Sequence, residues 1–315
     1  MLLSVICPTL NEEQYIENIL RFFVEAHPKE KELLIIDGCS KDLTQQIVRK
    51  WQQSYPNIHL LYNIHRYVSF ALNIAIPQCK GRYIVRLDAH TEYAPDYFEQ
   101  ILKTFEKTGA DIVGGPTRTK ALHPTQAAVA YAICTPFGIG NSLVHQEDYE
   151  GYTDSVTFGA WKREIFQKTG LFDTSLVRNQ DDEFHYRAKS LGFKIYQNPA
   201  IKLYYYPRSD LKSLFRQYFQ YGLYKPRVLR KVPSEGKLRH WIPSFFTIYV
   251  PLAFLLTFAH WLFLGPLLLY FLIDIYFSFF NHLAWNVKRI NLLVFPTIHL
   301  AYGLGFLKGL LRTSK

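Results

Sequence analysis

Gly81-Arg82-Tyr83-Ile84-Val85-Arg86-Leu87-Asp88-Ala89-His90-Thr91 joins an apolar run to an acid and an imidazole. Residues 83–87 form a short apolar run of the kind that makes a buried strand. The run ends in Asp88, one spacer and His90. In an open α/β sheet, ligands collect at the carboxyl ends of strands. A carboxylate and an imidazole two residues apart at such an end can both reach a divalent metal. Oxygen ligands with one imidazole suit Mg²⁺ or Mn²⁺ when phosphates fill the remaining positions. Taken alone, Asp-x-His also fits a helix cap beside an exposed His, so the neighbouring elements have to decide.

Upstream, residues 2–7 read as a strand that runs into Pro8-Thr9-Leu10-Asn11-Glu12-Glu13. Ile16, Ile19, Leu20 and Phe23 follow at helical spacing, with Thr9 or Asn11 expected as the cap and Glu12 and Glu13 in the first turn. Residues 33–36 form a second strand that ends in Asp37-Gly38-Cys39-Ser40, and a helix starts at Asp42. Residues 58–62 form a third strand, and residues 68–76 a helix carrying Asn73. After the decisive stretch come a helix over 95–107 and a fifth strand at 111–115. Strands alternating with helices of this length argue for βαβ units and a parallel sheet. Residues 121–150 are expected to mix helix with a mobile loop. Phe158-Gly159-Ala160-Trp161 reads as a strand or turn and 162–169 as a short helix. Asp181-Asp182-Glu183 opens a helix closed by Gly192. Residues 194–196 form a strand, and 211–221 an amphipathic helix with Leu214, Phe215, Tyr218 and Phe219 on one face.

The chain has 315 residues, 49% of them apolar and 16% aromatic, enough for one large domain or two smaller ones. Cys7, Cys39, Cys79 and Cys134 have no framework spacing and read as reduced thiols of a cytosolic domain. The start lacks a charged region and a cleavage site, so no signal peptide is expected. There is no repeat and no low-complexity tract. Charge is uneven: residues 1–201 carry 21 Lys and Arg against 23 Asp and Glu, residues 202–239 carry 10 against 2, and residues 240–315 carry 5 against 1. A basic block that abuts an apolar region reads as a collar facing anionic lipid, which argues against nucleic acid as its partner.

Residues 241–273 contain no Lys, Arg, Asp or Glu. About 20 apolar residues span a bilayer, and Gly265-Pro266 breaks the run. Two spans are expected, at about 242–264 and 266–284, with a third apolar stretch at 291–308. Domain boundaries follow at 1–232 for a catalytic domain and 233–315 for a membrane domain. Basic residues flank the hairpin on both sides, so the expectation is a multi-pass protein of the cell (inner) membrane with its catalytic domain in the cytoplasm. Asp274, a lone acid in the second span, is a candidate functional residue by position.

Taken together, Pro8-Thr9-Leu10-Asn11-Glu12, Asp37-Gly38-Cys39-Ser40, Asp88-Ala89-His90 and Gln180-Asp181-Asp182-Glu183-Phe184 with Arg187 resemble the inverting glycosyltransferases of family 2, which have a GT-A fold. The resemblance covers about residues 2–225 in the right order. Leu-Asp-Ala-His, Asn-Gln-Asp-Asp-Glu and Arg-Gln-Tyr-Phe-x-Tyr-Gly are closer still to the membrane-anchored glucosyltransferase group of succinoglycan (exopolysaccharide) biosynthesis. The fold implied is α/β, a Rossmann-like, mostly parallel sheet followed by transmembrane helices.

The resemblance implies a nucleotide-sugar donor, with UDP as the expected carrier, held by Pro8, Thr9, Asn11, Glu12, Asp37, Asn73, Arg86 and Asp88. It implies a divalent metal, Mn²⁺ or Mg²⁺, at Asp88 and His90. It implies Asp181 as general base, with Asp182 as the alternative. It implies acceptor contacts at Gly159, Ala160, Trp161, Arg216, Gln217 and Tyr221. The chemistry fits these residue types. A departing diphosphate builds negative charge that a metal neutralises, and the acceptor hydroxyl needs a base on the opposite face. The acceptor implied is a lipid-linked (polyprenyl diphosphate) saccharide, with membrane lipid as a further partner. The alternatives are a polyprenyl-phosphate sugar transferase and a non-catalytic membrane scaffold. Two departures stand out. His90 replaces the second Asp of the usual metal motif, which favours Mn²⁺, and Gln180 replaces the Glu beside the base. The motif of processive synthases is absent, which argues for addition of one sugar.

Overall fold

The computed structural model describes residues 1–140 and 142–312. In chain order the elements are β1 (Leu3–Thr9), α1 (Ile16–Glu25), β2 (Lys31–Asp37), α2 (Thr44–Ser54), β3 (Ile58–Tyr62), α3 (Val68–Ala75), β4 (Tyr83–Arg86), β5 (Glu92–Tyr93), α4 (Tyr97–Thr108), β6 (Ile112–Gly114), β7 (Thr117–Thr119), α5 (Pro124–Ile133), α6 (Pro136–Ile139), β8 (Gly151–Tyr152), β9 (Ala160–Lys162), α7 (Ile165–Thr169), α8 (Gln180–Ser190), β10 (Ile195–Gln197), β11 (Leu203–Tyr205), α9 (Leu211–Lys231), α10 (Ile242–Thr257), α11 (Gly265–Phe279) and α12 (Trp285–Arg312). They divide into two compact units. Unit 1 comprises Met1–Arg118 and Leu143–Tyr205, and unit 2 comprises Thr119–Ser142 and Tyr206–Lys315. This division differs from a single cut after residue 232: α9 and the segment carrying α5 and α6 group with the C-terminal apolar helices.

Unit 1 is built on an eight-stranded sheet in the order β3-β2-β1-β4-β9-β6-β10-β8. β1 pairs in parallel with β2 and β4, β2 with β3, and β10 with β6. β9 runs antiparallel between β4 and β6, and β8 antiparallel to β10. The sheet is therefore mostly parallel, as expected, with two reversed strands. β1 and β2 are buried along nearly their whole length because both faces of the sheet are covered, and each carries an apolar run at its centre. Val5, Val85 and Leu87 belong to the apolar cluster on one face, with α1 and α4. Ile6, Ile84 and Trp161 belong to the cluster on the other, with α3 and α8.

The connection after β1 differs from expectation. α1 begins at Ile16, and Thr9 and Asn11 do not cap it. Asn11 takes a left-handed backbone at φ 56° and its Oδ1 accepts from Lys41 N at 2.9 Å. Glu13 Oε2 accepts from Leu43 N at 2.9 Å, while Asn11 N and Glu12 N donate to Ser40 Oγ and Thr44 Oγ1 at 2.8 Å. The cap-type side chains are thus spent stitching the β1 loop to the β2 loop. Local side-chain bonding competes with helix initiation in this way.

In unit 2, α5, α9, α11 and α12 enclose a core that includes Ala128, Val129, Leu214, Val294, Phe295 and Ile298. Glycines let the helices approach closely. A Cβ on Gly305 would lie 2.1 Å from Phe219 O, and one on Gly222 2.1 Å from Tyr302 O. Among the described residues two helices are long and apolar enough to cross a membrane by length and composition, Trp261–Phe279 (its first residues in 3₁₀ form) and Trp285–Arg312. The stretch expected as the first span is instead a 16-residue helix, α10, followed by a break before Trp261. The third apolar stretch, expected at 291–308, is the longest helix of the chain at 28 residues. Asp274 is fully buried in α11 and accepts from Ser278 Oγ at 3.0 Å.

Candidate active site

Strand order places the site. The chain winds outward from β1 to β2 and β3, then returns to the other side of β1 as β4. The crevice at the carboxyl ends of β1 and β4 is the switch point where open α/β sheets bind ligands. The loops after β1, β2 and β4 bring Glu12, Asp37, Asp88 and His90 to this edge.

Asp88 Oδ1 lies 3.0 Å from His90 Nδ1, and Glu12 Oε1 lies 3.4 Å from the same nitrogen. His90 is 43% exposed at the side chain, and Tyr15 meets its ring edge-on at 6.5 Å. Tyr93 fixes the main chain beneath, its phenolic oxygen accepting from Asp88 N at 2.7 Å. Burial first, and then the nearby Tyr97 and Asp88, push the Tyr93 hydroxyl well above its usual range, so it stays protonated. The donor set, carboxylate oxygens with one imidazole, is chemically right for Mn²⁺ or Mg²⁺. Among the described residues no group of three or more His, Cys, Asp or Glu is arranged to hold a metal by itself. The residues fit a metal whose remaining positions come from a bound phosphate ligand.

Arg86 and Asp88 are two apart in an extended segment, so their side chains point to the same face. That face carries α8. Arg86 Nη1 donates to both Asp181 carboxylate oxygens at 2.8 Å. Arg86 is 5% exposed, and its guanidinium lies over the Phe158 ring at 5.2 Å. Burial opposes its charge, but the carboxylates of Asp181 and Asp88 overcome this and hold the guanidinium more firmly protonated than usual. Asp181 sits in the first turn of α8 with Asp182 and Glu183, where the helix dipole favours carboxylates. Glu183 is buried and makes a two-pronged pair with Arg187, at 2.7 and 3.0 Å. Arg187 also donates to Thr169 O and Leu171 O. This pair clamps α8 to the preceding loop and leaves Asp181 and Asp182 as the acids of the turn with exposed surface.

Several expected site residues have other occupations. Asp37 is fully buried and accepts from Ser40 N at 2.8 Å, Gln45 Nε2 at 2.7 Å, Ser40 Oγ and Thr9 Oγ1. A nucleobase reaching it would have to displace one of these donors. Pro8 and Thr9 are the last residues of β1, and Thr9 faces Asp37 across the ladder. Asn73 exchanges two bonds with the main chain of Phe172, at 2.8 and 2.9 Å, so its amide is a clamp between α3 and the segment before α8. Ala160 and Trp161 are 1% and 0% exposed. They are core residues because β9 lies inside the sheet, and neither offers surface to an acceptor. Gly159 has φ 82°, and its Cβ would sit 3.1 Å from the Trp161 ring. It lets the loop turn tightly and carry Phe158 onto Arg86. Arg216, Gln217 and Tyr221 lie on α9 in unit 2, where Gln217 Nε2 donates to Tyr221 Oη at 2.9 Å. Gln45, Tyr15 and Phe158 complete the unit 1 site without any motif to announce them.

Residues 4–170 match the family described as Glycosyl transferase family 2. The chain belongs to glycosyl transferase family 2. It is 31% identical over 268 residues to the succinoglycan biosynthesis protein ExoA of Rhizobium meliloti, covering 83% of this chain and 80% of that one. It is 31% identical over 240 residues to a dolichyl N-acetyl-α-D-glucosaminyl phosphate 3-β-D-2,3-diacetamido-2,3-dideoxy-β-D-glucuronosyltransferase of Methanococcus voltae, covering 73% and 74%. Its fold resembles that of the mannosyltransferase PcManGT of Pyrobaculum calidifontis in complex with GDP-Man and Mn²⁺, with a TM-score of 0.64, 17% identity, and coverage of 99% and 88%. It also resembles S. aureus TarS 1–349 in complex with UDP-GlcNAc, with a TM-score of 0.54, 15% identity, and coverage of 100% and 93%. This family 2 chain is a transferase by kinship.

Proposed function

We propose that this family 2 transferase moves one hexose from a nucleotide sugar, a UDP-sugar, to a lipid-linked saccharide at a membrane surface, with inversion at the anomeric carbon. One observation carries the reading. Asp181 is held 2.8 Å from Arg86, on the face of the β4 end that also bears Asp88. A proton acceptor and the residues suited to a diphosphate thus share one crevice. Asp88 and His90 would hold a divalent metal, which when bound neutralises charge on the leaving diphosphate. Asp181 takes the proton of the acceptor hydroxyl while that oxygen bonds to the anomeric carbon and the bond to the diphosphate breaks. A single displacement of this kind turns an α-linked donor into a β-linkage.

The lipid-linked acceptor is supported by the dolichyl-linked substrate of the Methanococcus voltae relative, and the exopolysaccharide setting by the Rhizobium meliloti one. Association with a membrane, with α11 and α12 as the crossing helices and the catalytic unit in the cytoplasm, is supported by their apolar length and by the basic block at 202–239. The test is transfer of radiolabelled sugar by the full chain in detergent with Mn²⁺. A panel of nucleotide sugars is offered with either a lipid-linked saccharide or bare polyprenyl phosphate. Label on the saccharide, lost in Asp181→Asn, is expected. Label only on polyprenyl phosphate would move the chain to that class of transferase, and no transfer from any donor would remove the catalytic reading.

A further inference from the structure

Arg86 is engaged on one side only. Nη1 serves the Asp181 carboxylate, while the buried Nε makes no hydrogen bond. An arginine fork is matched best by a planar carboxylate or by a phosphate that takes two of its N–H groups, and here the match is incomplete. Asp88, the residue suited to metal and diphosphate, shares the strand face with Arg86. The loop carrying Phe158 covers the guanidinium from the other side. The cation therefore stands between the position of the base and that of the leaving group.

Resting on the function proposed above, we propose that Arg86 is shared between the two halves of the reaction. In the empty enzyme it occupies Asp181, and it transfers to the donor diphosphate when the nucleotide sugar binds. Asp181 is then free to accept a proton only on the donor-loaded enzyme, so the donor binds first and the acceptor second. Arg86 acts on the base by positioning it and releasing it.

Such sharing leaves a signature in binding, apart from turnover. Asp181 and a diphosphate compete for one cation. Neutralising Asp181 should therefore strengthen nucleoside diphosphate binding, and only through Arg86. The experiment is calorimetric titration of UDP, GDP and dTDP into the full chain in detergent with Mn²⁺, for wild type, Asp181→Asn, Arg86→Gln and the double variant. Asp181→Asn is nearly isosteric and keeps an amide oxygen that can accept from Arg86 Nη1, and the double variant removes both charges of the pair, so both are expected to fold. Asp181→Asn should bind the cognate diphosphate about tenfold more tightly than wild type, the scale of a released charge-assisted hydrogen bond. The gain should vanish in the double variant and return in part with Arg86→Lys in place of Arg86→Gln. Unchanged or weaker binding by Asp181→Asn overturns the sharing. So does a gain that persists without Arg86, since that would be simple relief of charge repulsion. Failure of all three diphosphates to bind wild type would instead bring down the nucleotide-sugar reading, and the sharing with it.

Discussion

At the residue scale, Asp181 and Asp182 are adjacent acids in one helical turn, and the structure gives them different surroundings. Asp181 faces Arg86. As general base its loss should be felt in turnover: Asp181→Asn is expected to slow transfer by ~10²–10⁴-fold. Asp182→Asn should remove a favourable charge at the start of α8, worth ~0.3–1 kcal/mol of stability, with transfer intact. Steady-state rates and melting temperatures of the two variants side by side decide the assignment, and a dead Asp182→Asn beside an active Asp181→Asn would move the base by one residue. At His90, an added carboxylate offers harder oxygen ligation, so His90→Asp should shift metal preference from Mn²⁺ toward Mg²⁺. Activity titrations with each ion check this, and unchanged preference counts against His90 as a ligand. His185 is fully buried, accepts or donates at Ser155 Oγ over 2.8 Å, and leaves Nε2 without a hydrogen bond. Burial is the main influence on it and lowers its pKa, outweighing Asp181 and Asp182. The unfolded chain takes a proton at His185 near the ordinary value of about 6.5 while the folded chain resists. Stability contributed by the neutral ring is therefore complete above that value and falls as pH drops below it, by at most ~1.4 kcal/mol per pH unit. Denaturant melts of wild type and His185→Asn from pH 7.5 to 5 should show a steeper loss for the wild type, and parallel curves would refute the assignment.

At the element scale, α9 and α12 depend on the absence of side chains. Gly305 faces Phe219 O, and Gly309 faces Leu223 O, where a Cβ would lie 2.4 Å away. No rotamer relieves a clash with backbone, so Gly305→Val forces the helices apart. An overpacking cost of ~1–3 kcal/mol is expected, read as a lower melting temperature in detergent, with Leu304→Val on the 45%-exposed neighbour as the control. Equal melting temperatures for the two variants would mean the helix contact is not tight. Amphipathic spacing announced the first half of α9 and apolar composition part of α12, and the sequence pattern placed α1, α2, α4 and α8 nearly in register. It could not foresee that the cap-type residues before α1 would serve the neighbouring loop, because that choice depends on β1 and β2 lying side by side.

For the whole molecule, unit 2 draws on two separate pieces of chain. Removing residues 233–315 takes away Val294, Phe295 and Ile298, against which Ala128, Val129 and Leu214 are buried. The apolar faces of α5 and α9 are then left open, and patches of that kind drive association. The truncated chain should pellet or require detergent even at high salt, where a purely electrostatic attachment to lipid would be screened. Recovery of a detergent-free monomer would show that α5 and α9 do not need the C-terminal helices.

The sequence by itself determined the class of fold and the family. Strands that alternate with helices, and strand-end acids in a fixed order, are local patterns that survive without coordinates. It also marked Asp88, His90 and Asp181 as candidates, since each sits beside the boundary of a regular element. What it left open depends on which side chains meet across the sheet. Asn73 and Trp161 have residue types that suit a binding site, yet one clamps Phe172 and the other fills the core, because β9 is inserted between β4 and β6. Arg86 and Asp181 are 95 residues apart, and no spacing rule joins them. Only the packing of α8 on the Ile84 face of β4 brings the pair together, so the proposed link between donor site and base rests on tertiary structure alone.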